Sequence, residues 1–378
     1  MPSSTSSSDI PYRDIPDQHW GAIVIVSLLL VAVAVIGWEG LARDMHHTPG
    51  TFQSGMVEMW ADERRKLDTP EENVRVVLTG SSRMQWDADL DIMESKFGHR
   101  PIQLALAGTS PVKIVEDIVE NTEFDGVILV GVASFLFSSP FAMGDLESWG
   151  YYGTPAKEWY DGVSFSKRSG RVLHDFLSLH FGFLDEAFSM PELLKGYVVL
   201  ANREGAYDVR LDGWKLGNYY EDRQTDMWLP VEDENSFDNA QVKAFWDLPG
   251  REHDPEKTRE TATAAVEYFG PLIEKLRARG GDIVFVRMPI SGLYLEGDQK
   301  NQFVENFWSP MAEGVDALFI DTMAYPDLMD GLRTPEWSHL DRASQDLFSE
   351  RIVPLIAAEY EALRGHSIDQ VLDRTGRD

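Results

Sequence analysis

The chain has 378 residues, 43% of them hydrophobic, which is enough for one sizeable core of about 250 to 300 residues with smaller additions. Its net charge of −29 excludes nucleic acid as a partner and disfavours an anionic membrane surface, because both would repel it. The absence of cysteine excludes disulfides, a thiol nucleophile and thiolate metal sites. We interpret the dispersed acidic residues as a solubility adaptation, since no calcium-loop spacing is present.

The first predicted element is an uncharged apolar stretch from Gly21 to Trp38, preceded by a polar, disordered tail over residues 1–19. At roughly 1.5 Å per residue it reaches about 27 Å, just enough to cross a hydrocarbon core. Trp20 and Trp38 bracket it as an aromatic belt would. We therefore predict a transmembrane anchor over residues 20–41. A cleaved signal peptide is the alternative, because Gly40 to Ala42 is a passable small-residue cleavage site.

Strands and helices then alternate after a polar connector over residues 42–73, which has a short predicted helix around Met56–Lys66. The strand candidates are Val74–Thr79, Ile102–Ala107, Gly126–Val132, Asp282–Arg287 and Ala317–Asp321. Helical patterns cover Pro111–Asn121, Glu260–Arg279, Gln302–Glu313 and a last helix that begins at the N-cap Asp341. Near-continuous apolar strands that alternate with helices predict an α/β fold, with a parallel sheet covered on both faces.

A stretch over residues 138–259 interrupts this alternation and predicts an insertion that caps the catalytic face of the domain. It contains one amphipathic helical region, Arg171–Ala201, and much loop. Its aromatic residues are dense: Trp149, Tyr151, Tyr152, Trp159, Tyr160, Trp214, Tyr219, Tyr220, Trp228 and Trp246. Such side chains usually fill a core, and stacking on sugar rings is the alternative.

Two polar sites lie at opposite ends of the predicted domain. Ser82 follows the first strand and Gly80, which permits a sharp turn at the carboxyl end of that strand, where open α/β sheets bind ligands. Glu336 and His339 lie together in a later polar turn. Acyl transfer by a serine requires a base and a carboxylate that orients it. The three residues together predict a nucleophile, a base and an orienting acid.

These residues resemble the SGNH/GDSL hydrolase superfamily, and specifically its membrane-tethered, extracytoplasmic branch related to polysaccharide and teichoic-acid O-acylation proteins. The resemblance covers roughly Val74 to Ala358 without the insertion. It implies a flavodoxin-like, three-layer fold with a five-stranded parallel sheet over residues 74–362, followed by a C-terminal tail. The family's Gly-Asp-Ser turn is Gly80-Ser81-Ser82 here, so Ser82 takes the nucleophile position.

The resemblance also implies the donors that hold the oxyanion. The block Gln103 to Ser110 contributes Gly108, and Ser82 is the other predicted donor. The family's third block carries an asparagine donor, which is Ala133 in this chain. Ser134 or a residue of the insertion would have to replace it. Gly108 has an alternative role, since it could serve the turn alone.

The final block of the family, Asp-x-x-His, is Glu336-Trp337-Ser338-His339 here, so the resemblance makes His339 the base and Glu336 its orienting acid. Asp321 is the alternative orienting acid, although a strand-end cap is its ordinary role. Arg83 could bind a carboxylate or phosphate of the substrate, or pair with an acid such as Asp87. No histidine spacing indicates a metal, and no cofactor is expected.

The leading hypothesis is a serine esterase or O-acyltransferase that is anchored in the inner membrane, with its globular domain in the periplasm or outside the cell. Its substrate would be an acylated or acyl-accepting surface glycan. Acyl transfer would also need a membrane partner that exports the acyl group. The alternative is a catalytically silent module that binds glycan or scaffolds an envelope complex, which Ala133 and the missing aspartate favour. In a third interpretation the soluble part is only a structural ectodomain.

Overall fold

A computed structural model describes residues 18–52, 57–138, 163–185, 188–189, 215–247 and 254–373. The strands are β1 (Val76–Gly80), β2 (Ile102–Gln103), β3 (Val127–Val132), β4 (Gly217–Tyr219), β5 (Thr225–Met227), β6 (Asp282–Arg287) and β7 (Leu318–Asp321). The helices up to the insertion are α1 (Trp20–Asp44), α2 (Val57–Arg65), α3 (Ser82–Asp87), α4 (Leu90–Phe97), α5 (Val112–Asn121), α6 (Ser134–Ser138) and α7 (Phe165–His180).

The later helices are α8 (Leu229–Glu232), α9 (Phe237–Trp246), α10 (Pro255–Ala278), α11 (Gly292–Lys300), α12 (Ser309–Gly314), α13 (Pro326–Met329), α14 (Arg342–Arg364) and α15 (Asp369–Leu372). Short 3-10 turns cover Lys66–Asp68, Pro70–Glu72, Gly182–Leu184 and Thr322–Ala324, and a π-helical turn covers Val304–Trp308.

The main sheet has five parallel strands in the order β2-β1-β3-β6-β7. Numbered within the sheet, this is the 2-1-3-4-5 order of a doubly wound α/β domain. The order reverses at β1, whose neighbours are β2 on one side and β3 on the other. Ligands of such sheets bind at the carboxyl ends of the strands beside this reversal, which is where β1 leads into α3.

The sheet is covered on both faces, because successive strand residues point to opposite sides. Val77, Ile128 and Phe285 pack with α5 and α10 in one buried cluster. Leu78, Leu129 and Val284 pack with α4 and α14 in another. The two clusters on opposite faces give three layers, as expected for strands that are apolar at nearly every position. The predicted α/β architecture with a five-stranded parallel sheet is confirmed.

Most predicted boundaries hold, and two predicted elements differ from the structure in an informative way. The strand predicted over Ile102–Ala107 pairs as β2 for two residues only. Beyond it, the N–H of Leu106 still donates to the carbonyl of Gly80 at 3.0 Å, so the chain continues along β1 as irregular backbone. The helix predicted over Gln302–Glu313 is a π-helical turn followed by α12. The last helix begins as predicted, with the Asp341 carboxylate accepting from the N–H of Ser344 at 2.9 Å.

The insertion contributes a separate two-stranded sheet, β4-β5, and within its described part no strand joins the main sheet. Its amphipathic helix is α7, which begins six residues before the predicted Arg171 and ends at His180, where Phe181 leaves the helix. The predicted continuation toward Ala201 lies largely outside the described residues. So do Trp149, Tyr151, Tyr152, Trp159, Tyr160 and Trp214, on which the hypothesis of sugar stacking partly rests.

The described residues include one helix, α1, that is long and apolar enough to span a membrane, with a mean hydropathy of 2.7 over its most apolar window. None of that window is buried against the rest of the protein. The carboxyl end of the helix behaves differently, because Ala42 is fully buried and the indole of Trp38 donates to the carbonyl of Phe188 at 2.8 Å. The globular part therefore packs directly against the end of α1.

Candidate active site

Ser82 is the first residue of α3, immediately after the turn that ends β1. The turn depends on Gly80, whose φ of +149° lies in a region that side chains disfavour. A Cβ at Gly80 would also lie 2.6 Å from the carbonyl oxygen of Gly131 on β3. Because Gly80 and Gly131 both lack a side chain, α3 can approach the sheet closely. This approach fixes the half-buried Ser82 at the carboxyl edge of β1.

Glu336 and His339 form a buried hydrogen-bonded pair. Both side chains are 0% exposed, and Nδ1 of His339 lies 2.7 Å from Oε1 of Glu336. The same oxygen accepts the backbone N–H of His339 at 2.6 Å, so the carboxylate holds both the ring and its backbone. Since a carboxylate only accepts hydrogen bonds, Nδ1 is the donor of this contact, and in a neutral imidazole of this tautomer the lone pair is on Nε2.

The turn that carries this pair is bonded to the helix that carries Ser82. The backbone N–H of Leu340 donates to Oδ1 of Asp87 at 2.8 Å, and Nε of Arg83 donates to the Ser338 hydroxyl at 3.2 Å. Both donor–acceptor pairs bridge about 250 residues of sequence. The two polar sites that the sequence singled out therefore meet at one edge of the sheet.

His339 lies between two tryptophans. The ring of Trp86 is 5.3 Å from the imidazole centroid, and the ring of Trp246 is 5.8 Å from it. Trp86 lies one helical turn after Ser82 and hence on the same side of α3. The indole N–H of Trp246 donates to Oε2 of Glu336 in a short hydrogen bond. The sequence marked Trp246 only as one aromatic residue of the insertion, and no local pattern connects it to Glu336.

The contact that would complete a catalytic triad is not formed in the free chain. Nε2 of His339 is buried without a hydrogen-bond partner among the described residues, and so no bond joins it to the Ser82 hydroxyl. Nε2 is the atom that would accept the proton of a serine nucleophile. Catalytic hydrogen bonds are often long in structures without substrate and tighten when the substrate binds.

Of the predicted oxyanion donors, Gly108 lies close to Ser82, whereas the Ser134 hydroxyl already has another partner. Gly108 lies in an exposed turn with φ +70°, next to the segment in which Leu106 bonds to Gly80. Its loop therefore lies beside the start of α3 and the backbone of Ser82. The hydroxyl of Ser134 donates to the carboxylate of Asp298 in a short hydrogen bond. Because the hydroxyl already donates its proton to this hydrogen bond, only its oxygen and the backbone of Ser134 can contact a substrate.

The other candidates have defined partners. Asp321 accepts from the N–H of Met323 at 3.1 Å and from Arg287 at 2.8 Å, so it caps the end of β7. The acid bonded to His339 is therefore Glu336, not Asp321. Arg83 is buried and its guanidinium lies 4.6 Å from the ring centre of Tyr294. It makes no hydrogen bond to Asp87 within the described structure.

A pocket opens beside Arg83, on the side of Tyr294. Its wall consists of Ser134, Phe135, Ser138, Thr258, Leu293, Tyr294, Gly297, Asp298, Asn301 and Phe303. The Tyr294 ring also lies 6.2 Å from that of Trp246, which donates to Glu336. The pocket is therefore close to the Glu336–His339 pair. Its free volume is about 30 Å³, space for only a water-sized group or two, so the mixed aromatic and polar wall suits a small acyl or hydroxyl group. Among the described residues, no cluster of three or more acidic or histidine side chains is placed to hold a metal ion.

Asp87 makes the stability of this site dependent on pH. Burial raises the pKa of its carboxyl well above the ordinary value, and Oδ2 has no hydrogen-bond partner in the described structure. As the pH rises above about 4, the unfolded chain loses this proton before the folded chain does, so folding stability decreases. Asp87→Asn keeps the acceptor for Leu340 and removes the ionisation. We expect its melting temperature to exceed that of the wild type by a margin that grows with pH.

Thermal unfolding recorded from acidic to neutral pH measures this margin, and Glu71→Gln, which removes one exposed acidic charge, controls for the change in net charge. A constant difference between Asp87→Asn and the wild type at every pH would contradict the assignment.

Comparison of the chain with protein-family models, with curated proteins and with solved structures found no match.

Proposed function

We propose that this chain is a membrane-anchored, extracytoplasmic serine esterase or O-acyltransferase of SGNH type that acts on an acylated cell-surface glycan. In this proposal the doubly wound sheet is the flavodoxin-like fold of that superfamily. The strand order β2-β1-β3-β6-β7 and the position of Ser82 after β1 support it.

One observation carries the proposal: the buried Glu336–His339 pair lies in a turn that is hydrogen-bonded to α3, the helix that begins with Ser82. Within the described residues Nε2 of His339 has no hydrogen-bond partner, and an unpaired buried polar atom costs about 1–3 kcal/mol. Unsatisfied groups of this kind are tolerated where a ligand or a reaction uses them.

The proposed reaction uses this nitrogen as the base. The Ser82 oxygen attacks the carbonyl carbon of the ester, and its proton passes to Nε2 of His339. The C–O bond of the ester then breaks, and the departing alcohol takes the proton from Nε2. A glycan hydroxyl or water next attacks the acyl-serine and gives its proton to Nε2. The bond between the acyl carbon and the Ser82 oxygen then breaks, and that oxygen takes the proton back from Nε2. Glu336 stabilises the imidazolium in both halves, and the N–H groups of Ser82 and Gly108 stabilise the oxyanion.

The place and partners of the reaction follow from the anchor and the pocket. In this proposal α1 holds the protein in the inner membrane, and the domain lies in the periplasm or outside the cell. The small pocket beside Tyr294 would bind a small acyl group of the substrate. If the reaction is transfer, a membrane protein that exports acyl groups must supply the donor, because acyl donors are made in the cytoplasm.

A catalytically silent glycan-binding or scaffolding module is the second candidate. The missing Ser82–His339 bond favours it, as does the enclosure of the imidazole between two tryptophans. Alanine at position 133 favours it further, because a lost oxyanion donor costs about 10²- to 10³-fold in rate.

The test is covalent labelling of the full chain in detergent with a fluorophosphonate probe. We expect the wild type to be labelled, because the probe phosphorylates a serine that has an adjacent base. Labelling should disappear in Ser82→Ala and persist in Ser81→Ala, which removes the neighbouring buried hydroxyl. Absence of labelling in the folded wild-type chain would exclude the serine enzyme and leave the silent module.

A further inference from the structure

Helix α7 presents an apolar face that none of the described residues covers. Phe165 is 87% exposed, Val172 71%, and Phe176 57%. Their spacing places them, together with Leu173, on one side of the helix. The other side is attached to the domain, since Arg171 pairs with Asp62 at 2.7 Å and the carbonyl of Leu179 accepts from Gly50 at 2.8 Å. The apolar face is therefore held outward.

This face lies next to the end of the anchor. The segment Gly182–Leu184 follows α7 directly and packs against α1, where the ring of Phe183 lies 6.3 Å from that of Trp38. Trp38 ends the apolar stretch of α1 and so marks the level of the membrane interface. Phe181 and Leu184 add partly exposed apolar side chains at the same level.

The charge of α7 differs from that of the rest of the chain. The helix has three cations, Lys167, Arg168 and Arg171, against a single acid, Asp175, in a protein with a net charge of −29. The net charge predicts repulsion from an anionic membrane, and α7 is a local exception. Amphipathic helices with a basic polar face and an aromatic or aliphatic face lie in the plane of the membrane interface.

We infer that α7 is a second membrane contact, with its apolar face buried in the interface of a phospholipid bilayer beside α1. The inference rests on the membrane anchoring proposed above. A single spanning helix lets a domain rotate about its axis, whereas two contacts fix the orientation of the domain on the membrane. The position of the Ser82 site relative to the bilayer would then be constant.

The test is nitroxide labelling of the full chain in vesicles of phosphatidylethanolamine and phosphatidylglycerol. Because the chain has no cysteine, each introduced cysteine takes one label. Labels at Val172→Cys and Phe176→Cys should be relaxed by oxygen, which dissolves in the bilayer, and protected from a water-soluble nickel chelate. Lys167→Cys, on the polar side of the same helix, should respond in the opposite way.

Leu30→Cys in the middle of α1 separates the two proposals. If Leu30 reports lipid while Val172 and Phe176 report water, the second contact is excluded and the anchor remains. If Leu30 also reports water, the anchor itself is excluded. Protection of Val172 and Phe176 from both reagents, with spin–spin coupling between chains, would assign the face to a second copy and overturn the membrane contact.

Discussion

In the Glu336→Gln variant we expect fluorophosphonate labelling of Ser82 to slow on the order of 10⁴-fold, as when the orienting acid of a serine hydrolase is made neutral. We also expect the free energy of unfolding to fall by about 1–3 kcal/mol. Both effects follow from the contacts of the carboxylate. Its two oxygens accept three N–H groups: two of His339 through Oε1 and the indole of Trp246 through Oε2.

A glutamine cannot satisfy this set, because it has one acceptor and one donor group. If its oxygen faces His339, its NH₂ group faces the N–H of Trp246. If it is flipped, its NH₂ group faces both donors of His339. Each orientation sets a buried donor against a donor, and neither provides the negative charge that stabilises an imidazolium.

The double variant with Trp246→Phe separates the two consequences. In the wild-type background, Trp246→Phe leaves Oε2 of Glu336 buried without this donor and should destabilise the protein. In the Glu336→Gln background it removes the donor–donor conflict and should cost less or nothing. Denaturant unfolding of the four proteins measures the coupling, which we expect to be about 0.5–3 kcal/mol. Labelling should stay slow in the double variant, and recovery of its rate would contradict the role of the Glu336 charge.

The sheet could be predicted because its strands are apolar at nearly every position. Asp282–Arg287 was predicted to the residue, and β1, β3 and β7 to within two residues at either end. Such strands can only be buried on both faces, and the helices between them require parallel pairing. The second strand was overestimated, because Leu104 and Leu106 are buried and bonded along β1 without regular pairing to it.

The candidate site was predicted in its polar residues and missed in its surroundings. Ser82 begins α3 directly after the turn that ends β1, and Glu336 and His339 lie in a polar turn, where polar side chains indicate chemistry. Trp246 donates to Glu336 across 90 residues, and Asp87 accepts from Leu340 across 253. A periodic pattern contains no information about such contacts, since the folding of the whole chain brings the partners together. The raised pKa of Asp87 depends on burial in the same way and has no local signal.

Gly131→Ala should disrupt the packing of α3 on the sheet, although Gly131 lies on β3 and takes no part in the proposed chemistry. A Cβ at Gly131 would lie 2.6 Å from Cβ of Met84, which is fixed to the backbone of α3 and cannot rotate away. Either β3 or α3 must move. Overpacking of this kind costs about 1–3 kcal/mol, and it would displace the helix that begins with Ser82.

The matched control is Gly170→Ala in α7, where an added Cβ meets no atom within 4 Å. In a helix interior this change should stabilise the protein by roughly 0.5–1 kcal/mol, because alanine loses less backbone entropy on folding than glycine. We expect Gly131→Ala to lower the melting temperature and the control to raise it, with slower fluorophosphonate labelling only in Gly131→Ala. This result would show that the close packing of α3 on the sheet positions Ser82. Equal labelling rates in both folded variants would separate the nucleophile from this packing, because a serine positioned by α3 has to move when α3 does.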